Sequence, residues 1–264
     1  MTKQSVQKKH LGKKWLPLLS LLAGIGVWEE AIRILDYPAF ILPAPSKIFS
    51  RFLVASRSGL LWSNFFITFK EILLGLLIGT ISALIIGYFI AHFPTLEQIL
   101  FPYVLVSQAV PLAAIAPLMI IWFGTGMLPK VVICSLVVFF PVLINILVAF
   151  RDLEGNYQDL MTSLNADRAA RLRYLEIPGT LPTVLGGLRI SATLSVIGAV
   201  CGELAGADAG LGYLVSLGRG QFDTALVFSA VILLMLIALI LYLTVLCLEK
   251  RFLKWNHPKR SFDQ

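Results

Sequence analysis

Ala225-Leu-Val-Phe-Ser-Ala-Val-Ile-Leu-Leu-Met-Leu-Ile-Ala-Leu-Ile-Leu-Tyr-Leu-Thr-Val-Leu-Cys-Leu248 runs for 24 residues without a charge or a proline. Wound as an α-helix, it is about 36 Å long, enough to cross the hydrocarbon core of a bilayer. Nothing in it offers a polar face to water. The rest of the chain agrees with this stretch. Hydrophobic residues make up 58% of the 264 positions and charged ones only 14%, and the mean hydropathy is +0.84. A soluble domain carries about 25% charged residues. So little charge cannot clothe a water-facing surface, so lipid is the solvent for much of this chain, and the expected fold class is an all-α integral membrane protein.

Working back toward the N-terminus, five further apolar runs qualify as spans: 15–35, 67–91, 98–123, 130–150 and 181–204. The first is interrupted by Glu29, Glu30 and Arg33 and follows a Lys-rich start, which also resembles a signal peptide. No small-residue cleavage site follows it, so a retained helix is the preferred reading. In the second, Gly75, Gly79, Ala83 and Gly87 recur every four residues. That places a small-residue stripe on one face and permits close helix contact. The third contains Pro102, Pro111 and Pro117, and the fourth contains Pro141. The expected organisation is a basic tail over 1–14, a first span over 15–35, an outer loop over 36–66, a core over 67–250 and a tail over 251–264. In the outer loop, Ser46 is expected to cap a short helix after Leu42-Pro-Ala-Pro45.

Charge sets the orientation. The segments 1–15, 151–178 and 249–264 hold 14 of the 22 basic residues. By the positive-inside rule they lie in the cytoplasm, together with both termini. The net charge of +7 is therefore topological, and nucleic acid is not an expected partner. Trp15, Trp28, Trp62, Trp122 and Trp255 near span ends read as interfacial anchors.

Catalytic chemistry finds no residues to carry it. Cys134, Cys201 and Cys247 form no Cys-x-x-Cys pair, and His10, His92 and His257 form no His-Glu-x-x-His motif. No metal site and no catalytic residue is expected. The Gly-x-x-x-x-Gly-Lys-Ser/Thr phosphate loop is absent from the sequence.

The most polar stretch outside the tails is 151–180. It contains Tyr157-Gln-Asp-Leu-Met-Thr-Ser-Leu-Asn-Ala-Asp-Arg-Ala-Ala-Arg-Leu-Arg-Tyr-Leu-Glu-Ile-Pro-Gly-Thr-Leu-Pro182. It reads as one or two short surface helices ending before Pro178. This stretch resembles the cytoplasmic signature loop of binding-protein-dependent ABC permeases: Glu-Ala-Ala, three residues, Gly, nine residues, Ile, one residue, Leu-Pro. Asp159-Leu160-Met161 stands at Glu-Ala-Ala, Asn165 at the Gly, and Leu175, Ile177 and Pro178 at the end. The Gly position calls for a left-handed turn, which Asn tolerates best among other residues. The likeness extends over about 40–250. It includes Leu42-Pro-Ala-Pro-Ser46, Gln108-Ala-Val-Pro111, Pro117, Trp122-Phe-Gly124, Phe139-Phe-Pro141, Gly187-Leu-Arg189, Gly202-Glu-Leu204 and Gly210-Leu-Gly-Tyr-Leu214. It is closest to the nitrate, sulfonate, taurine, pyrimidine-precursor and riboflavin branch.

The resemblance implies a type I ABC importer permease of about six spans in a bacterial inner membrane. It implies that Asp159, Leu160, Met161, Asn165, Ala166, Arg168, Leu175, Ile177 and Pro178 form a coupling helix docked on a separate ATPase. Two ATPase copies would bind ATP and Mg, with no cofactor on this chain. An extracytoplasmic binding protein would deliver substrate, and a second permease chain, read as a second copy, would complete the pathway. The substrate reading leans to a vitamin or pyrimidine precursor such as riboflavin or a thiamine precursor, with nitrate, a sulfonate or taurine as the alternative. A secondary transporter without an ATPase is the reading from another class.

Within the spans, Gln108, Pro111 and Pro117 either line the pathway or its gate, or form a structural kink. Arg189 either faces substrate or, more in keeping with its cost in lipid, pairs with an acid or reaches the surface. Glu203 is read as a gate or packing residue, and Asp208 as part of a glycine-rich turn.

Overall fold

The computed structural model describes residues 4–153 and 155–253. Trp255, His257, Lys254, Lys259 and Arg260, and with them most of the expected C-terminal tail, lie outside the described residues. So do Lys3 and the side chains of the N-terminal tail. The described residues form helices joined by turns and short irregular connections, with no strand among them. The helices are α1 (Gln4–Leu35), α2 (Pro45–Arg57), α3 (Leu60–Ala91), α4 (Pro94–Ser107), α5 (Leu112–Phe123), α6 (Met127–Arg151), α7 (Gly155–Ser163), α8 (Arg168–Arg171), α9 (Ile177–Leu204), α10 (Leu211–Gly220) and α11 (Thr224–Phe252), with a π-helical turn at Leu172–Glu176 joining α8 to α9. Among the described residues, four helices are long and apolar enough to cross a membrane: Leu60–Ala91, Met127–Arg151, Arg168–Leu204 and Thr224–Phe252. Large apolar side chains such as Ile85, Ile121 and Met235 stand exposed, as lipid-facing residues must.

The third expected span, 98–123, is two shorter helices. The chain leaves the helix at Gln108 and resumes at Leu112, with Pro111 as the extended N-cap of α5. Pro111 cannot donate, and it biases Val110 away from the helical region. Pro117, expected to break the same span, instead sits inside α5, which runs through it. One missing donor is tolerated where neighbouring helices cover the freed carbonyl.

The chain forms two compact units, one from the described parts of 1–62 and 214–231 and one from 63–213 and 232–253. In the first, Glu29 rather than Ser46 closes the start of α2. Ser46 lies one position inside the helix, after Pro45. Its backbone N–H and its hydroxyl both donate to the Glu29 carboxylate, at 3.0 and 2.8 Å. Arg33 holds the same carboxylate at 2.8 Å. Arg51 pairs with Asp223 at 2.6 Å, and Trp28 packs against Phe228 with ring centroids 5.6 Å apart.

In the second unit α6 is the central helix, packed chiefly against α9 and also against α4 and α5. Its close neighbours are possible because they lack side chains on the shared face. A Cβ on Gly75 of α3 would collide with Cys134, and one on Gly79 would lie 2.5 Å from the Ser135 carbonyl and 2.9 Å from Val138 Cβ. Ala83 is fully buried in the same stripe. The small-residue face expected on α3 is therefore the contact with α6. A second stripe, not foreseen, runs along α9 as Gly187, Ser191, Ser195, Gly198 and Gly202. Cβ atoms on its glycines would meet Asn145, Val137 and Lys130 of α6. Val138, Val142, Leu143, Ile146 and Leu147 of α6 form one buried cluster with Ala83 and Ile90 of α3.

Candidate functional site

The signature stretch folds as α7, a tight turn and α8. The α7 helix ends in a Schellman motif: Ala166 N–H donates to Met161 O at 3.0 Å and Asn165 N–H to Thr162 O at 3.0 Å. Asn165 takes φ +51°, the left-handed turn anticipated at this position. Asp167 then caps α8, accepting from Ala170 N–H at 2.7 Å. Arg171 donates to Thr162 at 3.0 Å and ties the two helices together. Asn165→Gly should therefore leave this turn intact. A β-branched residue should not: Asn165→Val is expected to cost about 1–2 kcal/mol, read as a drop in melting temperature.

The expectation that the helix ends before Pro178 is overturned. The helical path is continuous from Arg168 to Leu204. Pro178 enters it just past the π-helical turn, where Ile177 N–H donates to Leu172 O. The wider turn moves backbone carbonyls away from the pyrrolidine ring, which an α-helical path would have met four residues back.

Among the described residues nothing covers one face of α7. Tyr157, Leu160 and Leu164, spaced three and four residues apart, are all more than half exposed, and Asp159 beside them is exposed too. Met161, Leu175 and Arg171 face the other way. With His92, Glu97 and Arg151 they line a cavity of about 240 Å³. Around it His92 lies 3.3 Å from Glu176, and Arg151 pairs with Glu97 while its guanidinium stands 4.1 Å over the Phe101 ring. The α3–α4 connection is thus bound to the signature loop. Arg168 is exposed, Arg173 lies 5.7 Å over Tyr174, Ile177 is exposed and Pro178 is half-buried.

The helix break brings Gln108 to an apolar groove of about 380 Å³ with Val110, Ile115, Phe140, Pro141 and Leu194. Pro111 and Pro117 are not part of its lining. Among the described residues no charged side chain lines it. Arg189 lies elsewhere. It donates to Glu249 of α11 at 3.2 Å and stands 5.7 Å over Tyr242, so the structural pair is what it forms.

Glu203 is not at the groove either. It is 1% exposed and belongs to a polar cluster that sequence reasoning missed. Lys130 of α6 donates to Glu71 of α3 at 2.8 Å and to Ala209 O at 3.2 Å. Thr68 donates to Glu203 at 2.6 Å, Gly212 N–H donates to it, and Asn64 accepts from Gly210 N–H at 2.7 Å. Asn64, Thr68 and Glu71 share one face of α3, continuous with the Gly75 stripe. That spacing was the available signal. Asp208 is exposed in the turn beyond. Among the described residues no group of three or more His, Cys, Asp or Glu side chains is placed to hold a metal ion.

Comparison with known proteins bears on all of this. The family described as "Binding-protein-dependent transport system inner membrane component" matches residues 63–254. The riboflavin transport system permease protein of Chloroflexus aurantiacus is 40% identical over 96% of this chain and 94% of its own length. The formylaminopyrimidine transport permease protein of Halalkalibacterium halodurans is 31% identical over 91% and 95%. The taurine transport system permease protein of Escherichia coli is 30% identical over 87% and 85%.

Proposed function

The chain belongs to the family of binding-protein-dependent transport system inner membrane components, and from that premise we propose that α7, with the turn at Asn165, is the helix that docks on a separate ATPase. The supporting observation is its exposed apolar face at Tyr157, Leu160 and Leu164. In water that face is a cost; against a groove of a partner it becomes binding energy. Burying one leucine contributes roughly 1.5–3 kcal/mol. Leu160→Asp should therefore weaken ATPase capture about 10- to 100-fold while the permease itself stays folded, since Leu160 touches solvent. Co-purification of the ATPase with wild-type and variant permease measures this. Equal capture would remove α7 as the docking element.

In this reading the partner ATPase binds ATP and Mg, and two copies of it meet two copies of this chain. Both termini lie on the same side as α7, in the cytoplasm. An extracytoplasmic binding protein supplies the substrate. ATP-independent uptake by the purified complex would favour the secondary-transporter alternative.

For the substrate, we favour riboflavin or a related uncharged heteroaromatic nutrient. The groove beside Gln108 has an amide to hydrogen-bond and no cation to hold an anion. The 40% identity to a riboflavin permease points the same way. Sulfonate or taurine transport is the second reading, raised by the taurine permease. Uptake of labelled riboflavin, challenged with excess taurine, separates them.

A further inference from the structure

Where α3 ends beside the signature loop, the surface changes from apolar to basic. Arg168 and Arg171 of α8 line a cavity of about 490 Å³ together with Tyr88, His92 and Glu176. Arg168 is exposed, and among the described residues it enters no ion pair. Arg171 gives one guanidinium nitrogen to Thr162 and keeps further N–H donors. Glu176 is the one acid among the described residues that line the cavity, and His92 lies 3.3 Å from it. The two guanidinium groups outnumber it. Their planar donor forks suit the oxygens of a phosphate.

The cavity continues into two apolar grooves. Tyr88 and Glu176 also line a groove of about 410 Å³ that includes Ile85, Ile146 and Val184. Phe89 and Phe93 also line one of about 430 Å³ that includes Leu96 and Ile99 of α4. Ile85 lies about 10 Å from His92 along α3, inside a membrane-spanning helix. A free phosphate would use the arginines and neither groove. A molecule with a phosphate at one end and two hydrocarbon chains at the other uses all three. We propose that this is the binding site of an anionic phospholipid, its phosphate at Arg168 and Arg171 and its acyl chains in the two grooves. Basic pockets between spans bind acidic headgroups by the same chemistry. The lipid fills the space between the end of α3 and the start of α9. The inference needs only that the chain resides in a bilayer, and it is independent of the ATPase and of the substrate.

The test titrates the purified full-length chain in detergent with dioleoylphosphatidylglycerol and reads the Kd of the first bound lipid by native mass spectrometry. Arg168→Gln should weaken binding about fivefold. Ile85→Trp, which crowds the first groove, should weaken it about threefold. Both positions are exposed, so both variants should elute as the wild type does. Arg173→Gln is the control. It removes the same charge from the same segment, but Arg173 lines neither the cavity nor the grooves, and binding should not change. Excess inorganic phosphate should displace little lipid. An equal loss in Arg173→Gln would reduce the effect to diffuse charge and overturn the proposal. So would displacement by inorganic phosphate, which marks a site for a free anion, or equally tight binding of dioleoylphosphatidylcholine.

Discussion

Lys130→Met is expected to destabilise the folded chain by about 3–5 kcal/mol. Lys130 is the cation of a cluster whose acids, Glu71 and Glu203, are almost wholly buried. Removing one partner of a buried ion pair leaves the other in low dielectric with nothing to repay its lost hydration. The same substitution also frees the Ala209 carbonyl, which Lys130 holds at 3.2 Å. The expected result is a large fall in the yield of monodisperse protein and in its melting temperature. A second change should partly reverse it: Glu71→Gln in the Lys130→Met background removes the charge that Lys130 had paired at 2.8 Å. Size-exclusion profiles and thermal melts of the single and double variants check this. A Lys130→Met protein as stable as wild type would show that the charge is satisfied from elsewhere.

Gly79→Leu is the second. The close approach of α3 to α6 leaves no room at this position, where even a Cβ would lie 2.5 Å from the Ser135 carbonyl. Backbone is the obstacle, so a side-chain rotation cannot relieve it. Overpacking costs about 1–3 kcal/mol where the surroundings yield. Here Gly79→Ala falls in that range, and leucine must drive the two helices apart. Separation would also disturb the Lys130–Glu71 pair two turns away on the same face. Gly186→Ala is the control: nothing stands within 4 Å of the place its Cβ would take, while a Cβ on the adjacent Gly187 would meet Asn145 at 2.6 Å. Melting temperatures should fall steeply for Gly79→Leu, measurably for Gly187→Ala, and not for Gly186→Ala.

These contrasts also show what the sequence could and could not disclose. Apolar length marked 67–91, 130–150, 181–204 and 225–248 as spans, because hydropathy over a long run needs no knowledge of neighbours. The turn at Asn165 was legible because few residues accept a positive φ. Ser46 was misassigned because a cap from a distant helix, here Glu29, leaves no local trace. Pro178 signalled a helix end under α-helical rules, and a π-helical turn relaxes those rules. Lys130 stood at the start of the span read over 130–150 and Glu71 passed unnoticed, since ionisable residues near span ends ordinarily reach water. The α9 stripe was hidden by Ser191 and Ser195, which count as polar though they serve as small. Of the residues considered for the pathway, only Gln108 lines the groove; Arg189 and Glu203 found partners that single positions do not reveal.

The unbroken helical path from Arg168 to Leu204 has a mechanical meaning. Its 37 residues make a rod about 55 Å long, so each degree of tilt sweeps one end about 1 Å relative to the other. A stiff crank of this kind needs little travel at the tip beside α7 to swing Gly202 and Glu203 at the opposite end. The winding is widest over the five residues Leu172–Glu176, and Pro182 removes a further backbone donor inside the helix, so these two places set how faithfully a displacement is passed along.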